Sequence, residues 1–391
     1  MQQVDVSYEC GGAGYIEPSR SRDWFFQLPL IILLTLIYLF FFDSYGDNLS
    51  YDYPHYVDFI SSISNEGFVG LLENISFNFP YYISETGVIF EFGFVSIAYI
   101  FSLLFRPDFA YGLLTSVFLF LKMEILRRSG VGVFGILIFF VFSVSLFETN
   151  AVRAGVAVFF VILSFYSLYA RQCGWFAVFS LICAVSVHVS ALLFLAAYAV
   201  AFFLSKSRQW KLFLVVFVAC LFFLVVNLRW LFIFVGGKLG DYVEQADING
   251  LYTGASGFNS VSLLCGILII RLMLSLAYGT LFLNSIRPSD NRLLFFYMAV
   301  VLIISFILVL AGGVLSIVGD RLWHMAFCAL LPLYSGRQIF VNSLGSYDLL
   351  VIPIFLLVVY YGIFSTVFLY PQSNFFSFFT AERVLESQLL Y

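Results

Sequence analysis

Residues 150–208 read NAVRAGVAVFFVILSFYSLYARQCGWFAVFSLICAVSVHVSALLFLAAYAVAFFLSKSR. Three apolar runs fill this stretch: 152–170, 175–187 and 189–204. Crossing a bilayer takes about 20 mostly apolar residues in a helix. The first run meets that length. The segment 175–204 is 30 residues long, with basic residues beyond both ends and His188 in its middle. Its pattern predicts two short helices meeting near His188 rather than one over-long span. The turn between them would lie below the outer surface, at the floor of an outward-facing cavity.

The same reading extends outward along the chain. Further spans are expected at 24–42, 88–105, 109–126, 131–147, 212–235, 261–284, 293–311, 323–335 and 349–370. Composition agrees: 62% of the 391 residues are hydrophobic, 11% are charged, and the mean hydropathy is +0.99. Soluble domains carry roughly 25% charged residues, so a soluble enzyme is excluded. The net charge of −4 lacks the basic footprint of a nucleic-acid binder. Six scattered cysteines show no zinc or disulfide spacing. The fold class expected is an all-α polytopic membrane protein of about 11–12 transmembrane helices, forming one domain over 1–391. Its first span reads as an uncleaved anchor after a tail at 1–23, and a second tail follows at 371–391.

Orientation follows from Lys and Arg, which favour the cytoplasmic side. Residues 43–87 hold seven acidic residues and no basic one, and are expected to form an outer loop. Lys122/Arg127/Arg128, Arg171, Lys206/Arg208/Lys211, Arg287/Arg292 and Arg337 then mark inner loops. With Arg20 and Arg22 these are 12 of the 19 basic residues. A parity conflict arises if both 88–105 and 109–126 cross. It is removed if 88–105, which carries Glu91 and ends at Arg106-Pro107-Asp108, enters and returns. Such a segment is tolerated where protein or water covers its backbone.

Several basic residues break the rule. Arg271 lies inside CGILIIRLMLSL, where an arginine costs at least about 2.5–3.5 kcal/mol. Arg153 and Arg321 fall at outer helix ends. Structural ion pairs, with Glu148 for Arg153 and Asp320 for Arg321, are one explanation. The other is a cluster of guanidinium groups on one side of the bilayer. Guanidinium binds phosphate oxygens bidentately and stays charged, so such a cluster suggests a membrane-embedded diphosphate. His188, among Ser186, Ser190 and Ala191, is a candidate acid–base group. His324 can share a helical face with Arg321. In YDYPHYVDFI, Asp52, Tyr56 and Phe59 recur at helical spacing. This predicts an amphipathic helix on the outer membrane surface, with Tyr and Asp suited to sugar hydroxyls. There is no GxxxxGK[ST] loop, no Asp-x-Asp pair and no HExxH motif. An enzyme built from these residues would use no ATP, and arginine rather than metal.

Four blocks give the chain a resemblance to the Wzy-type O-antigen polymerases and EpsG-type exopolysaccharide polymerases. They are Asp52-Tyr53 with Tyr56; Glu91-Phe92-Gly93-Phe94; NAVRAGVA followed by HVSALL; and Arg321 before a late helix. Ala154 departs from the Gln that often follows the arginine, and one helix rather than two precedes the Asp-Tyr block.

The resemblance implies a glycosyltransferase C-like architecture with a periplasm-facing cavity, in a bacterial inner membrane. It implies undecaprenyl-diphosphate-linked oligosaccharide as substrate, membrane lipids and a chain-length regulator as partners, and no cofactor. The growing glycan would be transferred to a new lipid-linked repeat with inversion. Arg153 and Arg321 would stabilise the leaving diphosphate, with Arg271 as a third contact. His188 would accept the hydroxyl proton or bind phosphate. Asp52, Tyr53 and Tyr56 would position sugar, and Glu91 would be an alternative base. An O-antigen ligase, another polyprenyl-linked glycosyltransferase and a flippase of the same lipid are the competing readings. A flippase is expected to show repeated halves, and no repeat is visible.

Overall fold

A computed structural model describes residues 23–49, 53–78, 81–83, 89–144, 152–171, 173–235, 291–311, 318–319 and 322–326, with 266, 269, 270, 273 and 328. Helix α1 is Asp23–Leu49 and α2 is Tyr53–Asn78. A small antiparallel hairpin follows, β1 Tyr81–Ile83 and β2 Ile89–Glu91, with Tyr82 opposite Phe90. The remaining helices are α3 Phe92–Ser102, α4 Pro107–Arg128, α5 Val133–Ser143, α6 Val152–Tyr166, α7 Gly174–Val187, α8 Leu192–Lys206, α9 Trp210–Val235 and α10 Arg292–Ala311. Helix α6 continues into a π-helical turn over Ser167–Arg171.

Local chemistry sets several of these ends. Pro107 begins α4, where its missing N–H costs nothing. Asn291 caps α10: its Oδ1 accepts the Leu294 amide, and its Nδ2 donates to the Leu168 carbonyl. Gly67, with φ +67, breaks α2 into two arms, a backbone state that glycine adopts without strain. Helix α10 is buried almost all round, as expected of a central helix. Its Tyr297 stacks on Phe165 of α6 and meets Tyr198 of α8 edge-on, while Phe296 meets Trp210 of α9.

Four helical segments are long and apolar enough to cross a membrane among the described residues: Pro107–Arg128, Val152–Tyr169, Val189–Lys206 and Arg292–Leu310. The outward faces of α7 to α9 expose Trp175, Phe179, Phe203 and Phe223, a surface that suits lipid and not water. The chain is an all-α polytopic membrane protein apart from its hairpin. Spans expected at 261–284 and 349–370 fall largely or wholly outside the described residues.

Cross-links between helices fix two ends of the bundle. Gln27 near the start of α1 donates to the Val131 carbonyl just beyond α4, and Tyr38 further along α1 donates to Thr115. Helices α1 and α4 are therefore antiparallel. The chain between them, α2, the hairpin and α3, makes no net crossing. Helix α3 has only 11 residues, about 16 Å of helix, roughly half the thickness of a hydrocarbon core. Helix α3 is thus too short for a full crossing, and with α1 and α4 antiparallel the parity conflict disappears.

At the far end of α4, Arg127 and Arg128 grip Glu124. At the start of α10, Arg292 reaches the Ser207 carbonyl beyond α8. Lys206, Arg208 and Lys211 share this end. It is a basic end.

Two expectations need correction. Lys122 does not belong to an inner loop: it is fully buried in α4, and its Nζ donates to the Gly155 carbonyl of α6 at 3.0 Å. Counting it with Arg127 and Arg128 by adjacency ignored the helical turn that points it at α6. The Tyr56/Phe59 face of α2 does not lie on lipid. Tyr56, Phe59, Ile60 and Ile63 are buried against protein. An apolar stripe records that a face is covered, not by what. Residues 43–87 are accordingly more than a solvated loop, since they carry α2 and β1.

Candidate active site

Opposite the basic end, four polar side chains meet from four parts of the chain. Glu91 is their centre. It ends β2 and stands as N-cap of α3, but its carboxylate turns away from its own helix. Its Oε2 accepts Arg153 Nη1 at 2.9 Å. Its Oε1 lies 3.1 Å from His188 Nδ1 and accepts the Val189 amide at 3.2 Å.

His188 sits where the sequence predicts a break. Its backbone is extended, φ −153 and ψ 121, between α7 and a short 3-10 turn at Val189–Ala191 that leads into α8. The break frees the Val189 N–H for Glu91. Amides at the start of a helix favour a carboxylate.

Arg153 is the second residue of α6. Its Nε donates to the Tyr56 hydroxyl at 3.3 Å, and its guanidinium carbon lies 5.1 Å from the centre of the Phe90 ring. Tyr56 is in turn stacked on Tyr111 and set edge-on to Phe90 and Phe94. The arginine is thus held by a carboxylate, a phenol and an aromatic face, while 26% of its side chain stays exposed.

Glu91 lies on β2, outside the spanning helices. Burial alone pushes its carboxyl up. The His188 hydrogen bond, the Arg153 charge and the Val189 amide outweigh burial and hold it down at about 2. A carboxylate this acidic is a poor general base, because efficient bases titrate near working pH. The contacts of Glu91 with Arg153, His188 and the Val189 amide also suit an orienting role, beside the expected one of alternative base. An ionised carboxylate only accepts. A proton on His188 Nδ1 would donate to Glu91 Oε1, and in that tautomer of the neutral ring Nε2 would be the acceptor.

The structure brings together Tyr56, Glu91, Arg153 and His188 of the residues singled out from sequence. Tyr53 is buried one turn away on α2, edge-on to Tyr111. Asp52, Arg271 and Arg321 lie outside the described residues, as does Glu148. Among the described residues, Arg153 pairs with Glu91, 62 residues away. Sequence reasoning missed Phe90 and the Val189 amide. The aromatic run IFEFGF around Glu91 was the one signal for Phe90, and a backbone N–H leaves no letter. Among the described residues, no three His, Cys, Asp or Glu side chains gather as a metal site would require.

No curated protein and no solved structure matches the chain. Residues 31–380 match the EpsG family. That range holds the bundle and every side chain of the cluster, and it is most of the protein. The chain belongs to the EpsG family, a membrane family of the polysaccharide-polymerase type.

Proposed function

We propose that the protein polymerises a surface polysaccharide. It transfers a growing glycan from undecaprenyl diphosphate to the non-reducing end of a new lipid-linked repeat. The observation that carries this reading is Glu91, whose carboxylate contacts Arg153 on one oxygen and His188 on the other. That joint places a phosphate-binding cation and a proton acceptor side by side, as displacement of a diphosphate requires. The positive-inside rule supports a cytoplasmic basic end, and in this reading the site faces outward from a bacterial inner membrane.

In this reading the attacking sugar hydroxyl gives its proton to His188 Nε2 as its oxygen bonds to the anomeric carbon. The bond from that carbon to the diphosphate oxygen breaks, and undecaprenyl diphosphate leaves with the electron pair. Arg153 donates to the charge that develops there, usually the largest contribution in such catalysis. Direct displacement inverts the anomeric centre. Tyr56, with Tyr53 and Asp52, lines the sugar side. Arg321 and Arg271 supply further phosphate contacts. Glu91 fixes both Arg153 and His188. The reaction needs no metal, because arginine carries the positive charge.

A deletion strain tests the reading. The account expects a single repeat on the lipid acceptor and no polymer. Loss of every repeat from the acceptor would instead indicate a ligase or flippase.

A further inference from the structure

Gly93 is the second residue of α3, two residues beyond Glu91. A Cβ placed on it would fall 2.4 Å from Ser186 Oγ and 2.6 Å from the Ser186 carbonyl oxygen. The first atom can rotate away. The second is backbone of α7 and cannot. Helix α3 and the end of α7 therefore touch main chain to main chain at Gly93. The residue has no positive φ among the described residues, and alanine is the better helix former. Backbone conformation gives no reason for glycine here, and close approach does.

The contact lies between the partners of the site. On one side the chain runs two residues back to Glu91. On the other, Ser186 precedes by two and three residues the His188 ring and the Val189 amide that Glu91 Oε1 contacts at 3.1 and 3.2 Å. We infer that Gly93 is a positioning residue: the close approach of its backbone to Ser186 sets the distance between the Glu91 carboxylate and His188. A methyl at position 93 must open the 2.6 Å approach to the Ser186 carbonyl oxygen by at least about 0.8 Å to reach ordinary packing distance. Both Glu91 Oε1 contacts then pass beyond hydrogen-bond range. A misplacement of about 1 Å can cost roughly 100-fold in rate.

The inference rests on the role given to Glu91 and His188 above, so its test separates the two. Turnover of an undecaprenyl-diphosphate-linked repeat is measured in membranes for wild type, Gly93→Ala, Glu91→Gln and the double variant, beside membrane protein level. Ser186→Val crowds the same contact from the other, exposed side and serves as a second route. The expected result is a drop of roughly ten- to 100-fold for Gly93→Ala and for Ser186→Val. KM should change little and protein level should stay normal. The double variant should be no slower than Glu91→Gln alone, as for groups acting through one contact. Full activity in Glu91→Gln would overturn the proposed function itself. A slow Glu91→Gln beside a normal Gly93→Ala, or losses that multiply in the double variant, would overturn the inference alone. Parallel loss of protein in both Gly93→Ala and Ser186→Val would also overturn it, reducing the contact to packing.

Discussion

Glu91→Gln is the sharpest perturbation of the site, because it keeps the shape and removes the charge. The wild-type carboxylate accepts from Arg153, His188 and the Val189 amide at once. Glutamine keeps one acceptor oxygen and gains an NH₂ that only donates. If the amide oxygen faces Arg153, the NH₂ meets His188 Nδ1 and the Val189 N–H. His188 must then move its proton to Nε2, and the base is lost. If the amide is turned over, the NH₂ meets the Arg153 guanidinium, and the arginine loses its counter-charge. Either arrangement costs a charge-assisted hydrogen bond, about 1.5–3 kcal/mol. Imposing the wrong histidine tautomer lowers turnover by as much as ~10⁴ in a serine protease. The expected loss in kcat is therefore roughly 100- to 10,000-fold, with the protein still present in the membrane. The assay is polymer formed per unit time from purified lipid-linked repeat, quantified on a gel ladder beside an immunoblot. Turnover above about a third of wild type would refute the reasoning, because the bonds removed alone are expected to cost at least about tenfold.

Arg153→Ala should abolish polymer at normal protein level. Arg153→Lys should remain poor, since an ammonium loses the planar fork that reaches Glu91, Tyr56 and phosphate together; near-normal chains in the lysine variant would remove the bidentate role. Elongation by purified protein should survive EDTA, and complete loss of turnover restored by magnesium would end the metal-free scheme. A single cysteine at the exposed positions 58 or 65 should label with an impermeant reagent in intact cells, and labelling only after lysis would invert the orientation. The folded-state pKa of Glu91 lies below its ordinary value of 4.5, at about 2. Wild type should therefore unfold in detergent at a higher temperature than Glu91→Gln above about pH 4.5, with the gap closing as pH falls toward 2; a gap that persists at pH 2 would mean that the carboxylate's charge is not what stabilises the fold.

The sequence made individual residues of the site legible for a physical reason. Polar groups in an apolar chain stand out because each must be satisfied or used, and Arg153, His188 and Glu91 each drew attention that way. Their partnership was not legible. Glu91 and His188 are 97 residues apart, and nothing local records that α3 turns its N-terminus onto the end of α7. Glu148, near Arg153 in sequence and outside the described residues, was the obvious carboxylate to consider, and nothing local pointed to Glu91, which reaches Arg153 from 62 residues away. The break at His188 was legible from length, since 30 apolar residues flanked by basic ones cannot form one ordinary span. The burial of Lys122 was not, because charge counting sees a loop wherever basic residues adjoin. Helix α2 shows the same limit: its pattern marks one covered face, but only the packing of Tyr56 on Tyr111 reveals that protein covers it.

The most direct test of the account is reconstitution. Purified protein is given undecaprenyl-diphosphate-linked repeat, and glycan length and released undecaprenyl diphosphate are followed together. The account predicts a ladder of lengthening chains, with one undecaprenyl diphosphate released per linkage formed. It also predicts that His188→Ala and Arg153→Ala each stop both signals. Release without lengthening, or a ladder that persists in either variant, would contradict it.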